Sequence, residues 1–328
     1  MLIVQLMLIN GGCVDDFLKD YNLKPTWNMT EFLCTQMKNW VKLNEQLPVT
    51  NYMTLILNAI LAFGTTVGNA MVILAIARTS ALHKPSYVLV CTLAFSDFCV
   101  GVIVQPLFTA VRVAEMTNNS DLYCKLGMAY FSTCGVWLWL SCFTIVAVSV
   151  DRFLAVYLRM KYRVLVTVKR VMMTVGVMLL AAFLLAIAYV FNMSSYYHLI
   201  NVIIPLCLIL TALSYFKISR MLSQQEVQLG ATSTQSMSGF NVARYKQSLY
   251  TVMYVYIAFS ICYLPYLAFS ISITVLGRNV ATHAAYLITA TLVLSNSFIN
   301  PILYYWRMPE LRRAVRQISF STNSAQFN

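Results

Sequence analysis

The chain has 328 residues, of which 59% are hydrophobic and only 10% charged, with a net charge of +12. Soluble proteins carry roughly 25% charged residues, so this chain cannot cover a water-soluble domain of its size, and a typical soluble enzyme is excluded. The basic residues fall in short clusters beside apolar stretches, which excludes a nucleic-acid partner and points to anionic membrane lipids instead.

In chain order, residues 1–49 form a mildly polar tail with two cysteines, Cys13 and Cys34. Its apolar start, MLIVQLMLIN, lacks the basic n-region of a signal peptide. A spanning helix needs about 20 mostly apolar residues. Seven such stretches follow, at 50–77, 85–112, 124–154, 170–191, 199–221, 248–276 and 283–306. Residues 222–243 form a polar linker between the fifth and sixth. Residues 307–319 alternate Leu311, Val315 and Ile318 with Arg312, Arg313 and Arg316, as in a helix lying on a membrane surface, with Pro309 tolerated in the first turn. The expected fold is all-α: a seven-transmembrane helix bundle over 50–306, an amphipathic eighth helix over 307–319 and a tail over 320–328.

Orientation follows from two counts. The segments after spans 1, 3, 5 and 7 hold 16 of the 23 basic residues, which places them in the cytoplasm and the N-terminus outside. The three N-x-S/T acceptors, at Asn28, Asn118 and Asn192, all fall on the opposite side, where glycosylation would occur.

One charged residue, Asp97, lies deep within a span. A carboxylate there must face the bundle and find partners. Ser141 in the third span and Asn296, Ser297 and Asn300 in the seventh are the candidates. Such an oxygen-rich cluster suits a small monovalent cation or a proton, or serves as a hydrogen-bonded packing cluster with no ion. Pro106, Pro205, Pro265 and Pro301 interrupt spans and are candidate kinks. Asp151 and Arg152 end the third span as a local ion pair that a binding partner could break.

Together these residues resemble the rhodopsin-like (class A) G-protein-coupled receptors over roughly residues 50–319. Gly68-Asn69 resembles the GN of the first helix, and Leu93-Ala94-Phe95-Ser96-Asp97 resembles LAxxD of the second. Asp151-Arg152-Phe153 resembles DRY. Cys262-Tyr263-Leu264-Pro265 resembles CWxP, with Phe259 six residues before the proline. Asn296 to Tyr304 resembles NSxxNPxxY, with Pro301 as its proline. The resemblance implies a sodium ion at Asp97, Ser141, Asn296 and Asn300. It also implies a switch at Phe259, Tyr263 and Pro265, and a heterotrimeric G protein docking on Arg152 and Tyr304. An extracellular ligand would bind in the outer bundle.

Some positions depart from the family. Its disulfide partner in the second extracellular loop is missing, since 192–198 has no cysteine, so Cys124 pairs with Cys13 or Cys34 or stays free. The other six cysteines are expected to be reduced packing residues. Tyr263 replaces a tryptophan, Phe153 a tyrosine, and Leu213 stands where a fifth-helix tyrosine is expected, with Tyr215 two residues on. No acid near Tyr245 offers Arg152 a cross-helix ion pair. Amine receptors carry an aspartate at the position of Cys134. The pocket expected from the resemblance comprises Cys134, Gly135, Leu138, Tyr266, Leu267, Ser270, Ala290 and Leu294, with Trp137 and Trp139 nearby. It is apolar with sparse hydroxyls, which leans toward a neutral or lipid-like ligand. The short second loop resembles the lipid, melanocortin and cannabinoid branch. A peptide docking on the tail is the alternative, and a transporter, which would show inverted repeats, is a lesser one. No spacing of residues forms a catalytic set.

Overall fold

A computed structural model of the chain describes residues 43, 46–191, 193–231, 242–277 and 279–325. Among the described residues the protein is all-helical. Its main helices are α1 (Pro48–Arg78), α2 (Pro85–Met116), α3 (Ser120–Leu158), α4 (Val168–Phe191), α5 (Met193–Ala231), α6 (Val242–Leu276), α7 (Val280–Arg307) and α8 (Pro309–Ala325). A single helical turn, Tyr162–Leu165, lies between α3 and α4. Seven of the helices are long and apolar enough to cross a membrane.

Local chemistry sets many of the ends. Pro48, Pro85 and Pro309 stand at helix starts, where a missing N–H costs nothing. Gly277, at φ 67°, ends α6, its N–H reaching the Ile273 carbonyl at 3.1 Å. Asn279 and Thr282 cap α7 reciprocally, each side chain accepting from the other's backbone N–H at 2.9 Å.

Three boundaries differ from the sequence expectation. Residues 193–198 are not loop but the first turns of α5, which puts Tyr196 and Tyr197 on a helix facing the bundle. The expected polar linker is helical as far as Ala231, because LSQQEVQLGA consists mostly of good helix formers. The eighth helix runs on to Ala325.

Neighbouring helices close into a ring, α1–α2–α4–α3–α5–α6–α7 and back to α1, with α3 also packed against α2 and α6. Large apolar side chains face outward, including Phe63, Val177 and Ile261, as lipid contact requires. The buried interior, by contrast, contains Asn58, Asn69, Asp97, Ser141 and Asn300 beside its apolar core.

Close approach is built by glycine at particular points. A Cβ on Gly68 would stand 2.9 Å from the ring of Pro301, so this glycine lets α1 approach the α7 proline. Pro106 has a different consequence from Pro205, Pro265 and Pro301, which lie inside continuous α-helices. Just before it, Val100–Val104 forms a π-helical turn in which the Gln105 N–H bonds the Val100 carbonyl. Widening the turn accommodates a residue that cannot donate and whose ring crowds the preceding turn. Gly101 in this turn lies against α1, where its added Cβ would be 2.8 Å from the Thr66 backbone nitrogen.

α8 is anchored from below. Leu311 and Ala314 are fully buried against the bundle, and the Glu310 carboxylate accepts from the Tyr87 hydroxyl at 2.7 Å with Lys84 Nζ at 3.9 Å.

Candidate functional site

Three polar features lie along the bundle axis. At the end bearing Asn118, a cavity of about 50 Å³ opens between α3, α5, α6 and α7. Of the expected pocket residues, Cys134, Gly135, Leu138, Tyr266, Ala290 and Leu294 line it. Leu267 and Ser270 do not. Phe269 meets Tyr197 at 6.2 Å and Tyr286 at 5.7 Å between ring centroids. Phe269 thus packs on two of the tyrosines that line the cavity. Trp139 lines the cavity, whereas Trp137 points away and meets Phe95 edge-on at 5.9 Å.

Six tyrosines contribute to the walls: Tyr130, Tyr196, Tyr197, Tyr263, Tyr266 and Tyr286. No Asp, Glu, Lys or Arg is among the lining residues. Tyr263 forms the floor, stacked on Phe259 at 4.0 Å with the rings 25° apart.

Below this floor the Asp97 carboxylate is fully buried. It accepts from Ser297 at 2.7 Å, Asn300 at 2.7 Å and Ser141 at 3.3 Å. Ser141 is also 2.9 Å from Ser96. Asn296, beside Ser297 on α7, is also buried, and its amide oxygen and that of Asn300 have no hydrogen-bond partner. Asn69 joins the layer by donating to the Ser297 carbonyl at 3.0 Å and the Thr65 carbonyl at 2.9 Å.

At the opposite end Arg152 pairs with Asp151 and donates to Ser86 at the start of α2. The Tyr162 hydroxyl donates to Asp151 at 2.5 Å and lies 3.2 Å from Ser86. Burial, then the neighbouring Asp151 charge, push this phenol up to about 12, so it stays a donor. Phe153 stacks on Tyr157 at 5.6 Å. The fifth-helix question is settled by orientation: Leu213 faces outward at 51% exposure, while Tyr215 is buried with its hydroxyl 3.2 Å from Ser149 on α3. Tyr304 is likewise buried.

The matched family is the 7 transmembrane receptor (rhodopsin family), over residues 68–198 and 189–304. The chain belongs to this family. It is a receptor rather than an enzyme, and a multi-pass membrane protein. Similar proteins include trace amine-associated receptor 7a of Mus musculus, 25% identical over 93% of this chain and 94% of that protein. Trace amine-associated receptor 7d of Rattus norvegicus is 29% identical over 80% and 82%. Trace amine-associated receptor 9 of Homo sapiens is 26% identical over 80% and 84%.

A rhodopsin-family receptor would hold sodium near Asp97, and the donors present fit one. They are oxygens only: one carboxylate, the hydroxyls of Ser141 and Ser297, and the unengaged amide oxygens of Asn296 and Asn300. Of the acceptor asparagines, Asn118 is exposed at the turn between α2 and α3, and Asn28 and Asn192 lie outside the described residues. Cys124 is disulfide-bonded. The six span cysteines are free, and Cys13 and Cys34 lie outside the described residues.

One cluster escaped the sequence reading. Arg112 and Glu115 on α2 form an ion pair, and His283 Nε2 on α7 is 3.0 Å from the other Glu115 oxygen. All three are almost completely buried. The guanidinium also lies 5.4 Å from the Phe108 ring centroid. These residues sit at the expected span ends, where charge is ordinary, so nothing in the sequence marked them as enclosed. The spacing of Arg112 and Glu115, three residues apart on a helix, was the only available signal.

Proposed function

We propose that this receptor lies in the plasma membrane with its Asn118 end outside, binds a small neutral extracellular ligand in the tyrosine-walled cavity, and activates a heterotrimeric G protein at the Arg152 end. The observation that carries this reading is the acid-free cavity resting on Tyr263 and Phe259, directly above the Asp97 layer. A ligand favours one conformation only through its differential affinity for the two states. Parting the rings around the cavity would shift the Tyr263–Phe259 pair on α6, which carries Pro265, and so reach the crevice between Arg152 and Tyr304. In the described state Arg152 is engaged with Asp151 and Ser86, as suits a receptor at rest.

The cavity is far smaller than the ~300 Å³ of ordinary ligand sites. This narrows the ligand from lipid-like to small and requires the rings to part on binding. A second reading comes from the similar receptors, which are named for trace amines. Against it stands Cys134 in place of an aspartate, with no carboxylate among the lining residues. A sodium ion at Asp97, Ser141, Asn296 and Asn300 would add a positive charge to the resting core and favour that state.

The deciding experiment is basal and ligand-stimulated nucleotide exchange on a panel of G-protein α-subunits, using membranes with the native receptor or Arg152→Ala. Exchange on one subunit, lost in the variant at equal surface expression, is the expected result. Unchanged exchange in Arg152→Ala would remove this residue from coupling.

A further inference from the structure

We infer that Arg307 tethers the cytoplasmic end of α6 to α7 in the resting receptor, through a cation–π contact with Tyr254 that breaks when the crevice at Arg152 opens. The inference rests on the reading of that crevice as the G-protein face. Arg307 is the last residue of α7, and its guanidinium lies 5.0 Å from the ring centroid of Tyr254 on α6 and 5.1 Å from that of Trp306. The two rings are 5.4 Å apart and tilted by 52°, so the cation is held against both. A guanidinium is planar and weakly hydrated, which suits it to aromatic faces, and the attraction operates within about 6 Å. The Nε of Arg307 is buried without a hydrogen-bond partner, so the rings are what meet the cation on that side.

Position gives the contact its consequence. Tyr254 precedes Pro265 on α6 by about 16 Å of helix. A change of bend of about 10° at that proline carries Tyr254 by about 3 Å, which takes its ring out of range of the guanidinium. Arg307 itself stands one turn beyond Tyr304, at the crevice. No acid near Tyr245 offers Arg152 an ion pair that would hold α6 inward from α3, and the described partners of Arg152 come from α3 and the start of α2. The Arg307–Tyr254 contact restrains α6 from the α7 side instead. A cation in the last turn of α7 is also favoured by the helix dipole. That preference needs nothing from α6 and predicts no effect of changing Tyr254.

The test uses the full-length receptor in nanodiscs with three variants. Arg307→Met keeps the length but not the charge, Tyr254→Leu removes the ring, and Tyr254→Phe keeps the ring face. Basal nucleotide exchange is measured for each on the α-subunit panel, together with the distance between spin labels placed by Met160→Cys and Tyr250→Cys, both exposed positions. Arg307→Met and Tyr254→Leu are each expected to raise basal exchange about two- to tenfold at equal expression and to lengthen the distance. Their double variant should do no more than either alone, and Tyr254→Phe should behave as the native receptor. Additive effects, an unchanged distance in both single variants, or a Tyr254→Phe that matches Tyr254→Leu would overturn the tether. Should Tyr254→Leu fail to fold, Arg307→Met and Tyr254→Phe still decide. Exchange on no subunit, by the native receptor or any variant, would overturn the G-protein reading and leave the distances to judge the tether: a longer one in Arg307→Met upholds it, and an unchanged one overturns it.

Discussion

Asp97 has donors from two other helices around it, Ser141 on α3 and Ser297 and Asn300 on α7. Such a group carries the cost of burying a charge, and a bound sodium ion would offset it. Asp97→Asn keeps the shape but removes the charge. Exchanging potassium for sodium is expected to raise the unfolding midpoint of the native receptor and leave that of Asp97→Asn unmoved. A sodium shift of equal size in both would place the ion elsewhere. The participants of this cluster were readable from the sequence, because a lone carboxylate in an apolar span must be met by nearby polar residues. Which of them touch it was not readable: adjacent Asn296 and Ser297 point differently around α7, and only Ser297 makes the bond. Tyr215 carries the same lesson, since only the rotation of α5 decides that it, and not Leu213, faces inward.

At the scale of elements, the π turn of α2 departs from regular α-helix and sits tightly against α1. Gly101 abuts the backbone of α1, which cannot yield as a flexible side chain can. Gly101→Ala is therefore expected to destabilise the receptor by about 1–3 kcal/mol. Gly176 on α4 has open space around its Cβ position. Alanine there gains helix propensity of up to about 1 kcal/mol, so Gly176→Ala should be neutral or slightly stabilising. Thermal unfolding of the two variants side by side checks both; a matched loss would show that helix packing at Gly101 has no special role. The sequence located Pro106 as an interruption, but a proline inside a span is met by either a bend or a widened turn. The choice depends on what packs against it.

For the whole molecule, Arg112, Glu115 and His283 join α2 to α7, which are not neighbours in the ring, beneath the surface at the Asn118 end. A buried ion pair adds little net stability, yet removing one partner is costly, at about 3–5 kcal/mol. Glu115→Gln strands Arg112 and is expected to lower the unfolding midpoint sharply. The double variant Arg112→Gln with Glu115→Gln should lose much less than the sum of the two single changes. Strict additivity in that cycle would mean that the pair does not couple the helices. The contact also connects to the cavity, because His283 stacks on Tyr286 at 6.5 Å and Tyr286 forms part of the wall.

The amino-acid sequence alone determined that the chain spans a membrane seven times, and which motif residues stand at each level of each span. Both follow from local quantities: apolar length, and the rarity of polar groups in hydrocarbon. The tertiary structure decided matters that depend on helix rotation and approach. These are the inward turn of Tyr215, the six tyrosines gathered around an acid-free cavity, the exclusion of Leu267 and Ser270 from it, and the burial of three charged or titratable groups at apparent loop edges. A side chain's distance along the chain fixes its height in the membrane, but only the packing of all seven helices fixes the direction in which it points.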